Sequence, residues 1–460
     1  MEEQNKLNFA LIEKALWNAT LETFQYALVE ILLTLDKYLM AKRNKSRYEY
    51  KELKEKTLLT MLGEVTIKRR YYWDTEQKQW VFLLDELLGI GSTAVSDSLK
   101  ELVVIWATKG PSYRDVRDRL HDLFNHQILS HEKIRQLLIE TSETIQRQDE
   151  AEVKKKQVPI IFIEADGFWT GIQKRGKKAR EKRETKLVVV HEGWEKRQKG
   201  DYQLKNPIYF TSYPGEKAED FWDRIYLKLW SIYENLNSIP VIINGDFASW
   251  IRGGIDYFKK GYYQYDRFHL KRDIRSLFSA NKDNRKKALC AIDANKPEQL
   301  LQLLKEQYTL SKDEALFEFI KRLEPHQEAL IDYRQRLAKQ EYQLSEQLRG
   351  MGAAEANVDR FKLRTSKRGR AWSANGLKAI LNMLGMLYEG TLRQAIDGLD
   401  SILFTTEQTE ALVASSAGQI AKQVGVTALH APRAGFPSLD KGAGAGYSKL
   451  FRQMLEEQMV

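Results

Sequence analysis

Two short, wholly apolar runs constrain this chain most: Ile160 to Ile163 and Val241 to Ile243, each followed three residues later by an aspartate. An uninterrupted apolar run of this length, bounded by turn residues, reads as a strand buried in a sheet. Between and after them, Leu187 to Val190 and Pro207 to Phe210 read as further strands, and Tyr262 to Tyr265 as a short last one. Phe221 to Leu236 is helical, with Trp222, Ile225, Leu229 and Ile232 on one face, and a second helix passes through Trp250 and Ile251. Three strands, a helix, a strand, a helix and a strand predict a mixed α/β sheet.

The flanking sequence is mainly helical. The first forty residues carry Trp17, Leu21, Phe24, Leu28, Leu32, Leu35 and Leu39 at steps of three and four, one apolar helical face. The period then changes. After a turn at Gly63, Val65, Ile67, Tyr71 and Trp73 alternate with Lys68, Arg70 and Tyr72, a basic strand with an aromatic face. Ser112 and Ser130 are placed to cap two helices carrying Val116 and Leu120, and Ile134, Leu137 and Leu138. With a turn near Asn125 to Leu129, the pair fits a helix-turn-helix and equally an ordinary helical packing unit. The charged run Asp149 to Lys156, with Pro159 after it, marks a boundary near 150. Residues 271–349 read as an all-helical insertion, with Leu330, Leu337, Leu344 and Leu348 on one face. The chain is helical again from Trp372, and Gly442 to Gly446 breaks it before a last amphipathic helix.

Composition narrows the function. Over 460 residues, 73 Lys and Arg outnumber 63 Asp and Glu by ten, with a pI near 9.2, so a polyanionic partner is expected. Charge alone leaves nucleic acid and an anionic membrane both open. A single cysteine, Cys290, excludes an internal disulfide and a four-cysteine zinc site, and points to a reducing, cytoplasmic compartment. The start, Met1 to Asn5, lacks the basic-then-apolar order of a signal peptide. The most apolar early run, Ala27 to Leu35, contains Glu30 and falls far short of the ~20 residues of a membrane span. No phosphate-binding glycine loop is present, which argues against ATP-driven chemistry.

The chemistry-bearing residues are Asp166 and Asp246, at the ends of the two apolar strands. A carboxylate there is held rigidly and faces the crevice where ligands collect. Two converging carboxylates repel unless a proton or a cation bridges them, and oxygen ligands favour Mg²⁺ or Mn²⁺. Two such ions ~4 Å apart would serve phosphodiester chemistry. The bland alternative is that both aspartates serve turns, Asp246 as a helix cap before Phe247-Ala248-Ser249-Trp250.

Several segments, in order along nearly the whole chain, carry a resemblance. They are Leu62-Gly63-Glu64-Val65, Leu83-Leu84-Asp85-Glu86, Ser112-Tyr113-Arg114-Asp115, Ile163-Glu164-Ala165-Asp166-Gly167, Asn244-Gly245-Asp246-Phe247-Ala248-Ser249-Trp250-Ile251 and Tyr265-Asp266-Arg267-Phe268-His269-Leu270. Together they resemble the bacterial insertion-sequence transposases of the ISLre type, which belong with the Mutator-like DDE transposases. The resemblance implies a ribonuclease-H-like mixed sheet with an all-helical insertion, preceded by a mainly helical N-terminal region with a short β-hairpin. It implies catalytic and metal-binding roles for Asp166, Asp246 and Glu355, the last within Gly352-Ala353-Ala354-Glu355-Ala356-Asn357, with two Mg²⁺ or Mn²⁺ ions. Asp266 and His269 match the family's Asp-x-x-His signature; His269 would steer a phosphate or the scissile strand, or be a satisfied structural histidine. The chain departs from the pattern at Phe247, where many relatives have Gly, and the ring is expected to narrow the approach to the site.

Two basic runs flank these acids. Gly171 to Lys186, linking the first two strands, has eight Lys and Arg (among them Lys174, Arg175, Lys177 and Lys178) against two Glu; Arg360 to Arg370 has six (among them Arg364, Lys367, Arg368 and Arg370) and no acid. Both are expected to grip phosphates, with salt-dependent and sequence-independent affinity. Trp372 is placed to stack on an unpaired base or, more simply, to pack in a core. The organisation so implied is an N-terminal DNA-binding or oligomerisation region over 1–150, catalytic segments over 157–270 and 350–390, the insertion at 271–349 and a helical C-terminal region over 391–460. The expected protein is a cytoplasmic, nucleoid-associated transposase, a dimer or larger assembly on double-stranded DNA, acting on terminal inverted repeats and target DNA. A catalytically inactive DNA-binding relic and a host nuclease of the same fold are the alternatives.

Overall fold

The computed structural model describes residues 9–90, 94–148, 154–173, 180–197, 200–340, 342 and 348–397. They form two compact units that divide between Ser96 and Asp97. The expected last amphipathic helix and the Gly442 to Gly446 break lie outside the described residues. Among the described residues no helix is long and apolar enough to cross a membrane.

The first unit holds helix α1 (Phe9–Lys42), strands β1 (Tyr48–Thr60), β2 (Gly63–Asp74) and β3 (Gln79–Val81), and the short helix α2 (Leu83–Leu88). The apolar stripe of α1 is used from Leu28 onward, where Leu28, Leu32, Leu35 and Leu39 pack on Leu58, Val65, Ile67 and Leu84. Trp17, nearer the start of the same stripe, is 47% exposed. The buried Asp36 locks the helix to the sheet, accepting from the backbone N–H of Arg70 at 3.2 Å and from its guanidinium at 2.5 Å. The expected alternation along β2 holds only through Arg69. A register shift at Tyr50 and Glu52 on β1 accompanies a change of phase, and Tyr72 is the fully buried ring. Tyr71 and Trp73 lie instead around Trp80, Tyr71 stacked on it at 4.8 Å.

The second unit begins with helices α3 (Asp97–Lys109), α4 (Tyr113–Phe124) and α5 (His131–Gln148). Ser112 and Ser130 accept from the backbone N–H of Asp115 and Lys133, each at 3.1 Å, and Asn125 makes the turn in the left-handed region. The buried face of α5 packs on α3, on α4 and on a later helix, α14 (Ala374–Glu389). Its exposed positions include Glu132, Gln136, Glu140 and Glu143, with Glu132 paired to Arg135 at 2.6 Å. These helices thus share a unit with the sheet, and the charged run near residue 150 joins parts of one body.

The sheet contains β4 (Ile161–Gln173), β5 (Arg180–His191), β8 (Ile208–Thr211), β9 (Val241–Gly245) and β10 (Gly261–Tyr265), in the order β10-β9-β4-β5-β8. A small ribbon of β6 (Trp194–Lys196) and β7 (Tyr202–Leu204) stands apart, and the two-residue β11 (Ala371–Trp372) pairs with β4. Strands β4, β9 and β10 are parallel; β5 runs antiparallel to β4 and to β8. The architecture is a mixed α/β sheet with many helices, as the order of runs implied. Two expectations change. Asp166 lies inside β4, because the strand continues to Gln173 as one arm of a hairpin with β5; what ends near Asp166 is the parallel pairing with β9, whose last pair is Glu164 with Asn244. Of the basic run, Arg180, Lys182, Arg183 and Lys186 accordingly lie on β5, the other arm of that hairpin.

One face of the sheet, with Ile161, Ile163, Val188, Val190, Val241 and Ile243, meets Phe221, Trp222, Ile225 and Leu229 of α6 (Ala218–Ile232). The same core continues into α8 (Arg267–Leu277), α9 (Lys282–Asp293), α10 (Pro297–Ser311) and α11 (Glu314–Leu323), after the short α7 (Ser249–Arg252). The helical insertion is therefore fused to the sheet. Leu330 and Leu337 do not share a helix: Leu330 ends a tight helical segment, Ile331 is extended, and Leu337 lies in α12 (Tyr333–Lys339). Leu344 is outside the described residues, and Leu348 lies in irregular chain. On the other face, Phe162 and Ile242 pack on Tyr333 and Leu337, and α13 (Ala354–Thr365) packs along β4.

The C-terminal end of α13 corrects two expectations. Arg364 is not a surface phosphate grip. It is 6% exposed, donates to the Ala107 carbonyl at 3.2 Å, and lies over the rings of Tyr113 and Trp372 at 5.1 Å each. Burial pushes its guanidinium down to about 10. Trp372 is a core residue, donating from its indole to the Thr365 carbonyl at 2.7 Å. Arg370 closes the same helix end, donating to the carbonyls of Leu363 and Arg364.

Phe247, in the turn after β9, is also relocated. Its φ of 76° is one that glycine adopts freely and other residues rarely. Its ring is buried against Tyr263, Tyr265 and His326, so it fills core and does not narrow a site. Phe247→Gly should lose about 3–5 kcal/mol of packing and recover about 1–2 kcal/mol of backbone strain. A net destabilisation of about 1–4 kcal/mol is expected in chemical denaturation. Arg364→Ala should cost a similar ~2–4 kcal/mol, through the cavity and the unpaired Ala107 carbonyl.

Candidate functional site

The parallel strands β4 and β9 and the start of α8 converge at one edge of the sheet. Asp266 follows β10 directly, and its backbone N–H donates to the Gly245 carbonyl at 2.9 Å, which ties the ends of β9 and β10 together. Asp266 then caps α8, its Oδ1 accepting from both the backbone N–H and Nδ1 of His269, each at 2.9 Å. Asn244 holds the other Asp266 oxygen at 2.8 Å.

These contacts orient a histidine toward an acid. Asp166, His269 and Glu355 each offer one ligand atom, and the three atoms lie within 4.8 Å of one another. They come from β4, α8 and α13. Asp166 is 8% exposed and His269 5%, while Glu355, in the first turn of α13, is half-buried. With Nδ1 committed to Asp266, Nε2 is the His269 nitrogen left for a ligand. Asp246 lies outside this tight group, yet its charge acts on Asp166. It does not cap α7, whose N-cap position is Ala248; its Oδ1 instead accepts from the Ala248 N–H at 3.1 Å. The Tyr263 hydroxyl fixes this turn, donating to the Gly245 carbonyl at 2.9 Å and accepting from the Phe247 N–H at 2.8 Å.

The electrostatics follow from burial and from this arrangement. Burial raises Asp166 to about 6; the Gly167 N–H and His269 oppose the rise, and Asp246 and Glu355 add to it. His269 is raised, first by its hydrogen bond to Asp266. Burial acts to raise Asp266, but the His269 and Asn244 hydrogen bonds outweigh it and hold the carboxyl below its usual range. Two carboxylates and an imidazole at this separation, with a third acid nearby, suit one hard divalent cation of the Mg²⁺ or Mn²⁺ kind.

The four expected phosphate grips Lys174, Arg175, Lys177 and Lys178 lie outside the described residues, as does the side chain of Arg368. Lys367 is exposed, 3.9 Å from Asp359. One residue of the resembling segments carries a role that spacing did not reveal. Glu164, 1% exposed, accepts through Oε2 from the backbone N–H of Gly352, Ala353 and Ala354 at 2.9, 2.6 and 3.2 Å. The signal was a carboxylate on the end of a wholly apolar strand, which must be met by several donors.

Among curated proteins, one from Caldanaerobacter subterraneus subsp. tengcongensis is 25% identical over 83% of this chain and 78% of its own length; its name joins eleven locus designations under the heading UPF0236 protein. A second from that organism, whose name joins four, is 26% identical over 78% of this chain and 73% of itself. A UPF0236 protein in the vanSb 3′ region of Streptococcus gallolyticus is 25% identical over 81% of each chain. Among solved structures, the Drosophila P element transposase strand transfer complex contains a chain 12% identical over 69% of this one and 82% of itself. Its TM-score is 0.27, too low to carry an argument. The matching family model is described as an uncharacterised protein family and spans residues 2–399; the chain belongs to UPF0236.

Proposed function

We propose that this chain is a DDE transposase of the ISLre type, hydrolysing and joining phosphodiesters at the ends of an insertion sequence. The observation that carries the reading is the convergence of Asp166, His269 and Glu355, brought together from positions up to 189 residues apart. The close approach favours a working site over a relic that only binds DNA. The strand order β10-β9-β4-β5-β8, with β5 alone opposed to both its neighbours, supports a ribonuclease-H-like sheet. Relatives whose names join eleven and four loci fit an element that multiplies by moving.

On this reading Asp166, Glu355 and His269 would hold a divalent cation, with Asp246 as a further acidic ligand nearby. Bound there, such cations lower the pKa of a nucleophilic water or 3′-hydroxyl and offset charge on the leaving oxygen. The chain's own groups set the geometry. Asp266 keeps His269 oriented, and the dry setting of Asp166 strengthens every charge contact in the crevice. Water attacks the phosphorus at each element end and the bond to the 3′-oxygen breaks, freeing a 3′-hydroxyl. That hydroxyl then attacks a target phosphodiester, one P–O bond forming as another breaks, so no nucleotide hydrolysis is needed. Two ends must be handled together, which calls for a dimer or larger assembly on DNA.

The first test is Mn²⁺-dependent cleavage and joining of labelled duplex taken from the DNA flanking the gene. Asp166→Asn and Asp246→Asn should each lower joined product at least ~100-fold while the protein stays folded. Product that survives both substitutions sinks the proposal. The second test is linkage. Asp166 and His269 are both raised by folding, so the stability they contribute is present at low pH and lost as pH rises, for Asp166 through about 6. Without metal, Asp166→Asn should therefore stabilise the chain at pH 7, on the order of 1–2 kcal/mol, and hardly at all at pH 4. Mn²⁺ should raise Tm more at pH 7.5 than at pH 5, because at pH 5 it must displace the Asp166 proton.

A further inference from the structure

We infer that Glu164 is a positioning residue, setting the distance between Asp166 and Glu355 by holding the head of the helix that carries Glu355. The inference rests on the cation-site reading above. Helix α13 starts without a side-chain cap, since Ala353 occupies the capping position. The first N–H groups of a helix need acceptors, and here they are directed at β4, with Ala354 buried. Glu164 supplies them from β4, with one oxygen taking three successive N–H groups, from Gly352 to Ala354. Those groups end one residue before Glu355. On the strand, Glu164 sits two residues before Asp166, so both side chains leave the same face of β4. One rigid stretch of strand thus presents the first acid and anchors the helix that presents the third.

The surroundings keep Glu164 from serving anything else. Among the described residues its buried Oε1 has no hydrogen-bond partner and lies 3.5 Å from Nε2 of the buried His191, which also has none there. His191 is itself held by Gly193 through Nδ1 and stacked on Phe162 at 5.2 Å. The chain leading into α13 is fixed by Tyr333, whose hydroxyl donates to the Arg349 carbonyl at 2.6 Å. Glu164 is enclosed on every side and reaches solvent nowhere, so it acts on the site only through the position of α13.

The test is Mn²⁺ affinity, read from the electron paramagnetic resonance signal of free Mn²⁺ titrated with the full chain. Glu164→Ala should weaken binding about 10–100-fold, the range for groups that orient metal ligands. Glu164→Gln keeps a carbonyl acceptor and should lose about 3–10-fold. Leu137→Ala, a core substitution in α5, should lower Tm while leaving affinity within about twofold. Amide exchange over residues 350–358 should quicken in both Glu164 variants. Unchanged affinity in Glu164→Ala, or an equal loss in Leu137→Ala, overturns the positioning role while the site reading stands. Should Glu164→Ala fail to fold, the Gln variant decides: faster exchange with unchanged affinity overturns the role. Absence of Mn²⁺ binding by the unaltered chain, or binding that survives Asp166→Asn, overturns the site reading and the positioning role with it.

Discussion

A buried carboxylate closed on the head of a helix 189 residues away in sequence is the contact on which the arrangement of acids depends. Sinking a carboxylate into a sheet costs several kcal/mol unless donors replace its water. Glu164 finds three N–H groups and the positive end of the α13 dipole, a setting in which each charge-assisted bond is worth about twice a neutral one. The opposite end of α13 is no freer. Arg364 is clasped between Tyr113 and Trp372 and donates to the Ala107 carbonyl, and Arg370 donates to the last carbonyls. A helix held by salt-like contacts at both ends has little room to slide, and Glu355 in its first turn inherits that rigidity.

The sheet decides where the acids meet. Chain order runs from β4 outward through β5 to β8, then crosses back to place β9 on the other side of β4. The strand order reverses between β4 and β9, and a crevice opens where such a reversal occurs. Asp166 and Asp246 both stand at that point, at the finish of the parallel pairing. Because Asp166 is nearly dry, its own desolvation outweighs the neighbouring charges in raising it. Burial of this kind disfavours an isolated carboxylate and so favours its pairing with a cation, while the Asp266–His269 pair contributes a fixed imidazole whose second nitrogen remains available.

Much of this was legible in the sequence, and what was not has identifiable physical causes. The apolar runs at 160 and 241 announced buried strands, being short and bounded by turn residues, and the turn and cap residues at Gly63, Ser112 and Ser130 behaved as local chemistry requires. The position of Asp246 followed from local spacing, and that of His269 from the resemblance. The length of β4 did not, because residues beyond Asp166 mix glycine, paired aromatics and polar residues in a hairpin arm whose partner is supplied only by folding. Glu355 came from resemblance alone: its proximity to Asp166 is set by the tertiary contact at Glu164, which no local pattern encodes. Phe247 was misjudged because a side chain's direction depends on φ, and a positive φ turns this ring into the core.

The basic run from Arg360 to Arg370 shows why charge counted along a sequence overstates what a surface offers. Its residues lie on a helix and a tight turn, so their side chains fan in different directions. Arg364 falls on the buried face of α13 with Val358 and Phe361. There the guanidinium lies over two rings while keeping a directed hydrogen bond. Arg370, just past the helix, is spent on carbonyls that otherwise lack donors. Two of the six charges thus maintain the helix that carries Glu355. What this run leaves toward solvent is weaker than its composition suggests, with exposed Lys367 already near Asp359. Its closeness to the acid in sequence therefore reflects the need to hold α13 in place at least as much as any need to hold phosphate.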